Sequence, residues 1–434
     1  MSVQYATLAI LGSMVGLMAL GIPLAFVTLS IAIVATLLVL GPDGISLIAA
    51  RMYTFVMEPA LIAVPMFVLM ASFMDKSGVA KDLFNAMYVW SGRLRGGVAI
   101  QTMFVAVLLA AITGIVGGET VMLGLVALPQ LLRLKYNKHL AVGTIAAGGA
   151  LGTMIPPSIV LIMYGVTAGV STGDLFKATL MPGLLLATLY MVYIYVLCKL
   201  NPEMGPALPE EEILSFNEKL SSLKGLLAPA MIALWVLGSI YGGICSVSEA
   251  AAMGCIATLF MIIKRGLLTK ESLQESLQET LRTCGKLFWL SLGATALIGI
   301  FNIMGGSRYL SELMEQLPFS PIVVVIIMMV IMAVLGMFMD WIGILILTMP
   351  IFIPIIKTMG FDPVWFGVLF CMNMQISFIS PPFGPACFYL KSVAPDSVSL
   401  MDIFKGVLPF IALQAIAVAL VISFPQIALW LPGL

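Results

Sequence analysis

Charge is what this chain has least of. Asp, Glu, Lys and Arg make up 10% of its 434 residues, 21 basic against 21 acidic. So even a balance leaves no positive footprint for a polyanion and excludes nucleic acid as a partner. Histidine is nearly missing: His139 stands alone, so no imidazole cluster can build a transition-metal centre. The six cysteines (Cys198, Cys245, Cys255, Cys284, Cys371 and Cys387) lie in or beside apolar segments without CxxC spacing, and read as small buried residues. Polar stretches are also scarce, the longest being Asn201 to Lys224. What remains is apolar: 61% of the chain, at a mean hydropathy of +1.12. No soluble domain conceals that much.

The apolar residues come in runs. Val3 to Leu40 carries no charge and Ile322 to Ile356 carries one, and each exceeds the roughly 20 residues of one spanning helix, so each must break or turn back. The first run lacks a basic flank and continues into a second apolar segment, which argues against a cleaved signal peptide. Two amphipathic stretches, Ile45 to Val56 and Thr269 to Leu281, are expected to lie along the bilayer surface.

An offset of 225 residues recurs along the chain. It lays GTMIPPSIVLIMYG (Gly152 to Gly165) over SFISPPFGPACFYL (Ser377 to Leu390), so that Pro156 and Pro157 fall on Pro381 and Pro382, and Tyr164 on Tyr389. Basic loops face the cytoplasm. In the first half the loops after Met74 and Leu132 are basic. In the second half Lys264, Arg265, Lys270, Arg282 and Lys286 crowd the opposite connection, while the loop with Arg308, Glu312 and Glu315 is acidic. The halves are therefore expected to insert in opposite senses.

These readings predict an all-α, polytopic integral membrane protein. An inverted repeat supplies about ten transmembrane helices, two re-entrant hairpins and two broken helices. The first repeat covers 1–199, with its hairpin at about 98–133 and its broken helix at about 139–167. A polar linker follows at 200–224, and the second repeat covers 225–434, with its hairpin at about 322–357 and its broken helix at about 364–390.

One charge sits inside each hairpin: Glu119 in AITGIVGGETVMLG and Asp340 in LGMFMDWIGILILT. A carboxylate at bilayer depth costs roughly 2.5 to 3.5 kcal/mol and needs a partner, an ion or a helix end to cap. The paired prolines free backbone carbonyls in the next span, tolerated only where the backbone is buried or lines a cavity. With Thr153, Ser158, Ser377 and Ser380 nearby, these oxygens suit a small hard cation such as sodium. A mere kink in a packed helix is the plainer alternative. Glu249, near a span start, reads equally as a helix-terminal residue.

The proline segments GTMIPPS and ISPPFG, with SEAAAMG, ALIAVPMF and GMFMDW followed by ILILTMPIFIPI, resemble the large membrane subunit of tripartite ATP-independent periplasmic (TRAP) transporters. The resemblance covers nearly the whole chain. It implies a transport domain of hairpins and broken helices that moves like an elevator against a scaffold. It also implies sodium sites lined by Thr113, Gly114, Gly149, Gly152, Thr153 and Pro156, and by Gly336, Asp340, Ser377 and Pro381. Where the family has a serine-rich first tip this chain reads ITGIVGGET, which makes Glu119 a candidate replacement ligand. The partners implied are a small four-helix membrane subunit, a periplasmic substrate-binding protein, the lipid bilayer and a small organic anion such as a dicarboxylate, sialic acid or keto acid. The location implied is the bacterial inner membrane.

Three other classes compete. A self-sufficient sodium/organic-anion symporter would need no binding protein. An intramembrane enzyme would need a nucleophile and base, or a histidine-rich metal set, within the spans. A proton-pumping subunit would place a chain of Lys, Glu and His there. A lone histidine in a basic loop speaks against the enzyme, and the interior charges are too few for the proton pump.

Overall fold

The computed structural model describes residues 3–114, 117–306, 308–309, 312 and 319–433. All regular structure among them is helical. In the first half, α1 (Val3–Ala19) and α2 (Leu24–Leu40) are separated where Gly21 takes a φ of +80° ahead of Pro23. Then come α3 (Ile45–Val56), α4 (Ala63–Lys76) and α5 (Val79–Tyr88). The hairpin limbs are α6 (Gly97–Thr113) and α7 (Gly118–Arg133). Helix α8 (Lys138–Ala150) starts at Asn137, whose side chain accepts from the backbone N–H groups of His139 and Leu140 at 3.0 and 3.3 Å. It breaks before α9 (Ile159–Ala168), and α10 (Thr172–Leu200) closes the half.

The second half holds α12 (Lys224–Tyr241), α13 (Val247–Lys264), α14 (Lys270–Ile303), the hairpin limbs α15 (Pro321–Gly336) and α16 (Trp341–Thr358), the broken pair α17 (Pro363–Ile379) and α18 (Pro385–Val393), then α19 (Leu400–Ser423) and α20 (Gln426–Leu429). A shift of 225 lays α6 on α15, α7 on α16, α8 on α17, α9 on α18 and α10 on α19, with starts and ends that differ by a few residues. Both diproline bonds, Pro156–Pro157 and Pro381–Pro382, are cis.

The halves interlock. Helix α4 packs most heavily on α13, and α14, which covers the counterpart of α4, packs most heavily on α2, the counterpart of α13. In the same crossed fashion α7 packs on α18, and its counterpart α16 packs on α9. Reciprocal contacts of this kind need a pseudo-two-fold axis between the halves. The main apolar core draws on both, with Tyr164 stacked on Phe370 at 5.7 Å between ring centres. Five of the six cysteines are buried in helices.

One expectation changes. The stretch from Thr269 to Leu281 is not a separate surface helix but the start of the 34-residue α14, so Lys270, Arg282 and Lys286 sit on one continuous helix rather than in a loop. In the first half Pro59 opens a tight turn between α3 and α4; its counterpart is Cys284, and nothing interrupts the ladder. The stretch from Asn201 to Lys224, between the halves, packs onto the first half. The Gly96 N–H donates to Gly205 O at 2.8 Å and the Asn137 N–H to Met204 O at 2.9 Å, while Arg133 grips both oxygens of Glu212 at 2.9 and 3.0 Å. A short helix, α11 (Phe216–Ser222), completes it. Glu315 of the expected acidic loop lies outside the described residues.

Among the described residues, seven helices are long and apolar enough to cross a membrane by length and composition, and six shorter apolar helices accompany them. With α14 at about 51 Å against a hydrocarbon core of about 30 Å, its charged first turns reach beyond the bilayer.

Candidate functional site

The end of α6 places Thr113 and Gly114 against the break between α8 and α9. Gly114 caps α6 at φ +61°, and an added Cβ there would come within 3.0 Å of the Pro157 carbonyl carbon. Gly149, in α8, leaves room for Thr120: a Cβ would lie 2.7 Å from Thr120 Cα. Gly152, in the turn Leu151–Thr153, does the same for Glu119, whose Oε2 would be 2.6 Å away. These glycines are required by close approach, since any side chain would push the hairpin tip off the broken helix.

Glu119 sits in the first turn of α7 and is fully buried. The Thr113 hydroxyl contacts its Oε1 and lies 3.0 Å from the Leu109 carbonyl, whereas Glu119 Oε2 makes no hydrogen bond of normal geometry and rests against the Gly152 backbone. The hydroxyls of Thr120 and Thr144 are likewise buried without partners. Among the described residues no cationic side chain pairs with Glu119. Thr153 turns its hydroxyl to the Ala150 carbonyl at 3.0 Å, and Ser158 donates to Thr153 O at 2.7 Å, as expected of a broken helix satisfying its own carbonyls. Pro156 lies within the break and contributes backbone only.

The repeat provides an internal comparison. The counterparts of Glu119 and Asp75 are Ile344 and Ile300, both buried. Packing at these positions is thus satisfied by isoleucine, and the carboxylates are there for another reason. Asp75, at the end of α4, lies beside Gly118 and has an unpartnered buried oxygen.

At the second tip Gly336 ends α15 so close to Ser377 that an added Cβ would overlap the serine side chain. Asp340 is the N-cap of α16, its Oδ1 accepting from the Trp341 N–H at 2.9 Å, so the capping alternative holds for that oxygen. Gly336, Asp340 and Ser377 line one small cavity of about 10 Å³; Pro381 is not part of its wall. On the same helix α17, Asn373 Oδ1 and Gln375 Oε1 are buried without partners, while the Asn373 amide donates to Met329 O on α15 and the Gln375 amide to Ala150 O at the end of α8. These two polar residues inside FGVLFCMNMQISFI were visible as anomalies of an apolar span.

A larger cavity of about 320 Å³ opens between the two tips. Gly114 reaches it from the first tip, and Asp340 and Trp341 from the second. Lys286, on α14, enters it and lies 3.6 Å from Asp340 Oδ2. Charge counting could not find this lysine, because it reads as one more basic residue of a flanking segment. Glu249 is settled as a helix-terminal residue: it accepts from the Ser246 N–H at 2.7 Å in a capping box at the start of α13.

Residues 11–427 match the family model described as tripartite ATP-independent periplasmic transporter, DctM component. The chain is 28% identical to the C4-dicarboxylate TRAP transporter large permease protein DctM of Vibrio cholerae, covering 97% of this chain and 96% of that one. It is 29% identical to the sialic acid TRAP transporter large permease protein SiaM of the same organism, with 96% of each covered. It is 30% identical to the isethionate TRAP transporter permease protein DctMQ of Oleidesulfovibrio alaskensis, over 95% of this chain and 64% of the relative. The fold is shared with the crystal structure of the YdaH transporter of Alcanivorax borkumensis, at a TM-score of 0.68 and 13% identity over 98% of this chain and 99% of that one. Interlocked repeats, glycine-lined tips pressed on broken helices and a match over almost the full length together identify the chain as a member of the DctM-component family of TRAP transporters, a multi-pass large permease subunit of the inner membrane and not an enzyme.

Proposed function

We propose that this permease drives the import of a small organic anion with sodium ions, receiving the anion from a periplasmic binding protein and working with a small membrane subunit. The observation that carries the coupling reading is the pair of buried oxygens without hydrogen-bond partners where the first tip meets its broken helix, Glu119 Oε2 beside Gly152 and the Thr120 hydroxyl beside Gly149; at the second tip Asp340 and Ser377 line a small cavity. Orphaned oxygens in an apolar interior are costly unless something positive meets them, and a hard monovalent cation fits an all-oxygen set. Thr113, Glu119 and the backbone around Gly149, Gly152 and Pro156 would hold one ion; Asp340, Ser377 and the backbone at Gly336 another. Bound there, sodium would supply positive charge that keeps tip and broken helix together.

The relatives' printed names include C4-dicarboxylate, sialic acid and isethionate, each an anion, which supports the substrate class. The isethionate relative extends well beyond the match, and the excess leaves room for a fused small subunit. An elevator motion would carry the tips and broken helices against a frame that includes the paired helices α2 with α14 and α4 with α13.

The test is uptake into vesicles holding the permease with its small subunit and binding protein. Uptake should follow an inward sodium gradient and stop when the gradient is collapsed, and Asp340→Asn should weaken that dependence. Uptake indifferent to sodium would overturn the coupling, and uptake by the chain alone would favour the self-sufficient symporter.

A further inference from the structure

The cavity between the tips carries information on what fills it. Among the described residues its single basic side chain is Lys286, matched at 3.6 Å by the single acidic one, Asp340. Thr283, one turn before Lys286 on the same face of α14, adds a hydroxyl. Most of the remaining wall is aromatic or aliphatic: Trp341 and Phe378 on one side, Phe383 and Tyr389 on another, with Ile159 and Val160 from α9. Phe383 and Tyr389 each keep 43% of their surface accessible and both line this cavity. Exposed aromatic surface gathered in a concave site marks a binding surface for an apolar group.

Resting on the transport reading above, we infer that the cavity selects a monocarboxylate with an aromatic or branched apolar body, its carboxylate held by Lys286 and Thr283 and its body laid against Phe383 and Tyr389. A dicarboxylate fits the same wall poorly. Its second carboxylate would find no further cationic side chain among the described cavity residues and would face either Asp340 or the aromatic wall. The volume of about 320 Å³ lies at the small end of ligand pockets and suits one ring or one branched chain beside a carboxylate.

The experiment reads direct binding to the purified complex of permease and small subunit in sodium buffer, without the binding protein, so that its own selectivity does not enter. The probes are phenylpyruvate, 4-methyl-2-oxopentanoate and succinate, followed by thermal shift and equilibrium dialysis. Phenylpyruvate and 4-methyl-2-oxopentanoate should bind at least about tenfold more tightly than succinate. Lys286→Met should weaken both by about tenfold or more, as loss of a charged hydrogen bond does, while Lys286→Arg keeps most of the binding. Phe383→Ala should weaken phenylpyruvate more than 4-methyl-2-oxopentanoate. Succinate binding as well or better, no binding by any probe, or Lys286→Met binding unchanged would each overturn the assignment. Preference for the apolar monocarboxylates combined with sodium-independent uptake would leave it standing and sink the coupling reading instead.

Discussion

The side-chain amide of Gln375 donates to the carbonyl of Ala150 at 3.3 Å, and the two residues are each other's counterparts at the repeat offset of 225. A residue that touches its own counterpart lies on the symmetry axis. The broken helices α8 and α17 therefore meet at the centre of the molecule, and both tips converge from opposite sides of that point. Replacing Gln375 with Leu removes this one bond, worth about 1 kcal/mol, and also removes an acceptor oxygen left without a partner, a change of similar size and opposite sign. The melting temperature of Gln375→Leu should hold close to that of the native protein while transport falls; a large loss of stability would show that the amide oxygen is satisfied.

Gly336 and Ser377 test the second tip. Gly336→Ala forces a methyl into the serine side chain and should cost about 1–3 kcal/mol of stability, with uptake reduced in step. Adding Ser377→Gly clears the space and should restore much of the stability, giving a coupling that two distant sites would not show. Strictly additive losses in thermal melts would mean the tip and broken helix are not in contact.

Glu212 ties the linker to the first hairpin and makes a pH statement possible. Hydrogen bonds from Arg133 and Tyr88 hold its carboxyl below the ordinary glutamate value of 4.5. A group lowered on folding contributes fully above its unfolded value and loses that contribution as pH falls through the folded one. Native protein and Glu212→Gln should therefore differ most near neutral pH, by no more than about 2 °C in melting temperature since the pair is exposed, and converge well below pH 4.5. A difference that grows on acidification would reverse the assignment.

Side-specific labelling checks the inverted insertion. A cysteine at Lys135 and one at Lys270 should both react from the cytoplasmic face, and one at Glu312 from the outside. Lys270 lies in the first turn of α14, whose charged start extends past the apolar part, so it should label readily. Labelling of Lys135 and Lys270 from opposite faces would rule out opposed halves.

Much of this molecule is written in local pattern. Apolar runs, the glycines and prolines that end them, and the shared diproline segments mark helices, breaks and the repeat, because each depends on residues near in sequence: a proline removes a donor wherever it stands. The glycines at the tips were legible for the same reason. Partner choice was not. Whether Thr269 to Leu281 stops at a surface or runs on into α14 turned on the missing proline at Cys284 and on what α14 packs against. Glu119 and Asp75 become a pair of anomalies only once Ile344 and Ile300 are seen filling the equivalent sites. Lys286 belongs to the central cavity only because α14 runs past the second tip, which brings two residues 54 positions apart to 3.6 Å. The sequence by itself determined a repeated, membrane-spanning helical chain with interrupted helices; the tertiary structure alone decided which oxygens go unpaired and which cation faces the cavity, since both depend on contacts between segments that no local pattern encodes.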